Sequence, residues 1–526
     1  MSLKLFTALM GALLCSSLAW AGSAKPNIII IMTDDMGFSD LGCYGAEINT
    51  PNLDSLAKNG LRFTQFYNTG RCCPTRASLL TGLYAHQAGM GGMTRDEGPK
   101  KPGYRGRIME RAVTIAEVLA PAGYHTIQTG KWHVGDKKKE WWPVNRGFQS
   151  GFSSPAGGGF YFRPSAFKQA RSIVRGEEVL YNQKIDPPEG FYTTDAYTEE
   201  GFPYVREAVK NNKPFLWYLA YNAPHFPLKA KPEDIAKYRG KYKIGWDELR
   251  KQRHAKLIEL GIIKDSWKLS KRSSKIPAWD TLSDKQKDEQ DLRMATYAAM
   301  IDCVDQNIGK IITELKKFNA FDNTLIIFLC DNGGDSSGGV LGSNKGKGEV
   351  GTVDSFAYYG EAWANVSNTP FKLYKKFIHE GGISTPFVAH WPKGIKKELN
   401  NSLITEPTHL VDLMATCVDV SKAEYPKVFK GNQIIPMEGK SLNAIFKGEK
   451  LQREDALYFE HSGNKGIRSG KWKLVSKSGN EWELYNMHED RTELNDLSKK
   501  YPEIVSQLKK KYDEWTIRCF VKRVKK

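Results

Sequence analysis

Four short apolar runs, each closed by a polar cluster, constrain this chain more tightly than any other feature. "NIIIIM" (Asn27 to Met32) runs into Thr33-Asp34-Asp35, and "YHTIQTG" (Tyr124 to Gly130) into Lys131-Trp132-His133. "PFLWYLAY" (Pro214 to Tyr221) runs into Asn222-Ala223-Pro224-His225, and "NTLIIFLC" (Asn323 to Cys330) into Asp331-Asn332-Gly333-Gly334. The runs hold β-branched or aromatic residues and alternate little, the pattern of strands buried on both faces of a parallel sheet. The polar residues stand just past each carboxyl end, where open α/β sheets bind their ligands.

Helical segments separate the runs. "VTIAEVLAPAG" (Val113 to Gly123) is apolar at helical spacing, and Leu292 to Lys317 puts Met294, Tyr297, Ile301, Val304, Ile308 and Ile311 on one stripe. Strand and helix alternate, so the class is α/β. Residues 229 to 290 are rich in Lys, Arg and Asp without a strand signal and read as a helical or irregular surface insertion. Near residue 445 the character changes. Four short strands (Ala456 to His461, Lys465 to Gly470, Lys471 to Ser476, Glu481 to Asn486) are followed by a basic helix from Pro502 to about Trp515. The expected layout is a leader over 1–21, a large domain over 22–445 and a small α+β unit over 446–526.

The leader follows from "MSLKLFTALMGALLCSSLAWAG". Lys4 precedes an apolar run from Leu5 to about Leu18, and Ala19-Trp20-Ala21 is a small-x-small cleavage site. The run falls short of the ~20 residues that span a bilayer, and Leu14 before Cys15 argues against a lipoprotein. The mature chain is therefore expected to be exported, periplasmic or secreted, with no membrane span. Seven of the eight cysteines remain after the leader: Cys43, Cys72, Cys73, Cys303, Cys330, Cys417 and Cys519. An odd count in an exported protein gives one cysteine another job, and the wide spacings exclude a structural zinc site. The net charge of +18 favours anionic partners. No nucleic-acid-binding signature accompanies it.

Asp34 and Asp35 end one strand; Asp331 and Asn332 end another. Three carboxylates and an amide oxygen at equivalent positions of one sheet make a site for a hard divalent cation, calcium or magnesium. Either pair alone would read as a strand-end turn. Between them lies "GRCCPTRASLLTG" (residues 70 to 82). Pro74 suits a first helical turn and Gly82 a stop. Cys72 and Arg76, four apart, can reach one another, and the positive helix end faces an anion. Adjacent cysteines bridge only with severe strain.

These residues resemble the formylglycine-dependent sulfatases. The segment matches the signature C-x-P-x-R followed by x-x-x-L-T-G, and "TDD", "GKWH", "APH", "DNGG" and "K…EGG" follow in family order across nearly the whole mature chain. The chain is similar to an exported arylsulfatase of the alkaline phosphatase superfamily. That implies a large, mixed, mostly parallel sheet flanked by helices, plus a small C-terminal antiparallel sheet with a helix. It also implies roles. Cys72 matches the cysteine oxidised to formylglycine (3-oxoalanine), whose hydrate is the nucleophile, and a formylglycine-generating or anaerobic maturation enzyme is the partner this requires. Asp34, Asp35, Asp331 and Asn332, with residue 72, match the ligands of a metal that is normally calcium. Arg76 matches the residue that holds the hydrate, and Lys131 and Lys375 match lysines on the sulfate. His133 matches the histidine on the formylglycine hydroxyl, and His225 the one that protonates the leaving group. Lys375 has Lys376 beside it, so either could fill that slot. Cys73 fills the variable position of the signature and is expected as a small packed residue.

The implied reaction is hydrolysis of a sulfate monoester, aryl sulfate or sulfated carbohydrate, to alcohol and inorganic sulfate. A phosphodiesterase or phosphonate monoester hydrolase of the same superfamily is the alternative, and two lysines and the leader favour sulfate. A binding protein without turnover is disfavoured because every catalytic slot is filled. The loop Ser153 to Pro164 and the 229–290 insertion are expected to shape the substrate pocket. His461, in "YFEHSGN", reads as a turn histidine, with reach to the cleft as the rarer reading.

Overall fold

The isoleucine run forms the middle of a sheet because both of its faces are apolar. In a computed structural model, which describes residues 25–158, 160–163 and 171–521, the chain forms β1 (Asn27–Thr33), β2 (Leu61–Phe63), β3 (His125–Lys131), β4 (Ser150–Ser154), β5 (Ile173–Arg175), β6 (Glu178–Tyr181), β7 (Phe215–Ala220), β8 (Thr324–Cys330), β9 (Phe387–His390) and β10 (Ser402–Ile404). The expected leader lies outside the described residues. The strands form one sheet in the order β10-β2-β9-β8-β1-β7-β3-β4-β5-β6. From β8 to β4 every neighbour is parallel, and β9 enters antiparallel between β8 and β2. Ile29 and Ile31 pack into one apolar layer; Ile28, Ile30 and Met32 pack into the other. Hence these strands show no alternation.

The helix over Cys72–Thr81 supplies the site with Cys72 and Arg76. α1 (Cys72–Thr81) is buried along its whole length and ends at Gly82, whose φ of 68° lets the chain leave in a left-handed turn. It starts two residues before the Pro74 start expected from sequence, so Cys72 is its first residue and Arg71 its extended cap. α2 (Trp246–Glu259) belongs to the 229–290 insertion. α3 (Asp284–Lys317) opens on a Ser283–Gln286 capping box and is longer than the apolar stripe alone indicates. The helix expected over Val113 to Gly123 is only Ile115–Leu119, because Pro121 cannot donate a helical hydrogen bond and restricts Ala120 before it.

The C-terminal part is the expected small sheet. β11 (Leu457–His461), β12 (Asn464–Ser469), β13 (Trp472–Ser476) and β14 (Glu483–Asn486) are antiparallel neighbours in chain order, and α4 (Pro502–Arg518) packs on them. Trp515 of α4 stacks on Tyr458 of β11 at 5.2 Å between ring centroids. The sheet is tied to the rest of the molecule by a buried charge network. Lys473 reaches Glu380 at 2.7 Å and Glu493 at 2.8 Å, and Arg491 Nε reaches Glu380 at 2.8 Å. Losing one partner would strand a buried charge, a loss of about 3–5 kcal/mol. No helix of the described residues is long and apolar enough to cross a membrane.

Candidate active site

Strand register brings the sequence clusters to one edge. Thr33 pairs with Cys330, Met32 with Ala220, and Ala220 with Gly130, so Asp34, Asp331, Lys131 and the turn Asn222 to His225 leave the sheet side by side. Successive side chains of a strand point to opposite faces. Asp35 escapes that rule by turning to φ 70°, and both Asp34 and Asp35 enter the same site. α1 supplies Cys72 and Arg76 from one face.

The oxygens there are under-satisfied. Asp34 Oδ1, Asp35 Oδ2, Asp331 Oδ1 and Asn332 Oδ1 are buried without a hydrogen-bond donor. Donor atoms of Asp34, Cys72 and Asp331 lie within 4.8 Å of one another, as do those of Asp34, Asp35 and His225. Asn332 Nδ2 donates to Asp35 Oδ1 at 2.7 Å, which leaves its own carbonyl oxygen facing the cluster. Buried acceptors normally find donors. Four that do not, converging beside a thiol, fit a divalent cation.

Cations of the chain fill part of this charge demand. Lys131 Nζ bonds Asp34, and Lys375 Nζ bonds Asp35 at 2.5 Å. Arg76 donates from Nε and Nη2 to Asp331 Oδ2 at 3.1 and 2.9 Å, and from Nη1 to the Lys131 carbonyl at 2.9 Å. Burial favours the neutral acid at Asp34, but the Lys131 charge outweighs it and holds the carboxyl well below the usual range. Asp331 goes the other way. Burial and the like charge of Asp34 push it up to about 8 despite Arg76. Burial also raises Asp35 in spite of Lys375. Three carboxylates this close repel one another until a cation joins them.

A hydrogen bond with Cys73, aided by Lys131, Lys375 and a bond to His133, holds the Cys72 thiol well below its ordinary value against burial. Burial and Lys131 bring His133 down to about 4. Burial brings His225 down to about 3 although Asp34 opposes it. His225 Nδ1 lies 2.5 Å from the Phe226 carbonyl, which can only accept, so Nδ1 carries the proton and Nε2, 3.5 Å from Asp35, is the exchanging atom. The Tyr161 hydroxyl fixes that turn, donating to the His225 carbonyl at 2.6 Å.

Comparison with known proteins identifies the family. The family profile described as Sulfatase matches residues 26–423, and one described as N-sulphoglucosamine sulphohydrolase, C-terminal, matches residues 371–517. The chain belongs to the sulfatase family. It is 34% identical to an arylsulfatase of Klebsiella aerogenes over 87% of this chain and 100% of that protein. It is 34% identical to an uncharacterised sulfatase of Schizosaccharomyces pombe over 93% of each. Among solved structures it resembles Ps i-CgsB, with TM-score 0.69, 27% identity, and coverage of 94% of this chain and 93% of that one. The chain is a sulfuric ester hydrolase with a mixed α/β sheet and a small C-terminal antiparallel sheet, as the motifs implied.

In this sulfatase a cavity of about 180 Å³ opens beside the cluster, with Cys72, His133, His225 and Lys375 in its wall. Lys376 is exposed, so Lys375 is the lysine at the site. Cys73 is wholly buried among apolar residues, and all seven described cysteines are free. From the Ser153 to Pro164 loop, Gly157 and Gly158 line this cavity, and a Cβ on Gly157 would sit 1.9 Å from His133 Nε2. The 229–290 insertion departs from expectation. It contributes no residue to this cavity, and Arg253 of α2 pairs instead with Asp40 at 2.6 Å and Glu47 at 2.9 Å. His461 is also absent from the wall, buried with Nδ1 unpartnered, though near enough to Arg71 and Cys72 to sense their charges. Sequence reasoning passed over Asp335, four residues beyond Asp331, whose Oδ2 lies 3.9 Å from Lys375. It also passed over Tyr218, whose hydroxyl accepts from Arg76 at 3.4 Å out of the middle of a strand.

Proposed function

We propose that this sulfatase is an exported enzyme acting on sulfated carbohydrates, through a formylglycine made from Cys72 by a maturation enzyme beside a calcium ion. Asp34, Asp35, Asp331, Asn332 and the modified side chain of residue 72 would hold the ion. The observation that supports this is the set of four buried carboxylate and amide oxygens without donors around Cys72. Such a donor set suits a hard cation, and calcium accepts irregular oxygen cages that magnesium does not. The aromatic share of 11%, the net charge of +18 and the match over residues 371–517 support a sulfated sugar.

When bound, the cation offsets the negative oxygens that shield sulfur from attack. The formylglycine hydrate offers two hydroxyls on one carbon, so that one can attack sulfur and the other expel sulfate as the aldehyde re-forms. The chain's side chains do the rest. Arg76, clamped to Asp331 and the Lys131 carbonyl, holds residue 72 against the cluster. Lys131 and Lys375 bring two ammonium groups to the sulfate and stabilise charge as it redistributes. His133, bonded to residue 72 and neutral at pH 7, accepts the proton of the second hydroxyl. His225 delivers a proton from Nε2 to the leaving oxygen, the substrate's own negative charge raising the pKa that burial had lowered.

Elemental analysis of enzyme from its native host tests the metal assignment. Wild type is expected to carry stoichiometric calcium, and Asp331→Ala to lose both metal and turnover. Full occupancy in that variant would contradict the ligand set.

A further inference from the structure

Asp335 lines the cavity together with Cys72, His225 and Lys375, and it has no part in the reaction above. It is only 5% exposed. Its Oδ1 takes the Ser337 backbone N–H at 3.1 Å and the Ser337 hydroxyl at 2.8 Å, which holds the carboxylate in one orientation. Its Oδ2 has no hydrogen-bond donor among the described residues. Lys375 Nζ stands 3.9 Å from that oxygen, outside hydrogen-bond reach, and bonds Asp35 at 2.5 Å instead. Burial favours the neutral acid, but Lys375, His225 and Ser337 outweigh it and hold the carboxyl below its usual range, so it can only accept. Phe226 lines the same cavity and packs on Tyr358 at 4.4 Å between ring centroids, an apolar wall near the acceptor.

The charge of Asp335 is therefore balanced, while one of its oxygens lacks the donor that buried acceptors normally find. An ionised acceptor beside an apolar wall suits a hydroxyl carried on a ring. In the function proposed above, Lys375 meets the scissile sulfate, so a donor for Oδ2 stands close to the ester. We propose that Asp335 Oδ2 accepts a hydrogen bond from a hydroxyl on the carbon next to the one that carries the sulfate, so that vicinal hydroxy sulfates are preferred substrates. This contact presupposes that the scissile sulfate sits between residue 72 and Lys375.

Three phenyl sulfates test it, carrying hydrogen, hydroxyl or methoxy at the ortho position. Methoxy keeps the oxygen and loses the donor. Wild type should favour the hydroxyl over the methoxy ester by about tenfold or more in kcat/KM. In Asp335→Asn the Ser337 N–H holds the amide oxygen at the Oδ1 position, so Nδ2 replaces Oδ2 and donates instead of accepting. The ratio should then fall to about one or invert, and Asp335→Ala should bring it to about one. A ratio between substrates cancels differences in folding or in conversion of Cys72 among variants. A wild-type ratio near one, or a ratio kept in either variant, overturns the role of Asp335 and leaves the reading of residue 72 standing. Loss of all three substrates alike in both variants makes Asp335 a support of the site and overturns it too. No turnover of unsubstituted phenyl sulfate by wild type overturns the reading of residue 72 and the role of Asp335 with it.

Discussion

Arg76 Nη2 and Asp331 Oδ2 meet at 2.9 Å, both side chains wholly buried, across 255 residues of sequence. The contact joins the start of α1 to the end of β8, and so sets where Cys72 stands relative to the acidic cluster. Three donors of one guanidinium make the joint: two reach Asp331, and the third fixes the strand end at Lys131.

Arg76→Lys therefore keeps the charge and loses the joint. Turnover of an aryl sulfate is expected to fall about 100-fold or more, with thermal stability lowered by about 2–3 kcal/mol. Near-wild-type kcat would mean that Arg76 balances charge without orienting residue 72.

His225→Gln separates leaving-group protonation from binding. Alkyl sulfates, whose alkoxides need a proton, should lose about 10²–10⁴-fold in kcat/KM. 4-Nitrophenyl sulfate, whose phenolate leaves unaided, should lose far less. Equal losses on both would deny His225 the part of general acid.

The large-scale layout was legible because it rests on period and on strand ends. Apolar runs without alternation at Asn27 to Met32 and Asn323 to Cys330 demand a sheet buried on both faces, and the polar residues after them then have to share one edge. What stayed hidden depends on three-dimensional placement. Tyr218 reads as one more aromatic in "FLWYLA", and only the sheet shows its hydroxyl on Arg76. Arg71 reads as one more basic residue until α1 begins at Cys72 and makes it the cap facing the cavity. The 229–290 insertion carries charge but no strand signal to place it against the sheet edge, and only the structure shows Arg253 paired with Asp40.

Burial of His409, remote from the site, contributes to the acid limb of stability. Burial lowers His409 to about 3, where it packs between Tyr84 and Phe459 with Nε2 unpartnered. Its folded pKa lies below the unfolded value of about 6.5, so the unfolded chain takes up the proton first. Stability is full above about pH 6.5 and falls as pH drops toward 3, by about 1.4 kcal/mol per unit for this group. His409→Asn should remove about 2 kcal/mol of the loss seen between pH 6.5 and pH 5 in urea unfolding. An unchanged slope would mean that the imidazole is solvated in the folded state.

Under the proposed function, residue 72 is not a cysteine in the working enzyme. Intact mass of the tryptic peptide that carries it, taken from active enzyme of the native host, tests this most directly. The expected peptide is lighter than the encoded one by loss of H2S and gain of O, in proportion to specific activity across preparations. Full activity from a peptide of encoded mass, with the Cys72 thiol intact, would contradict it.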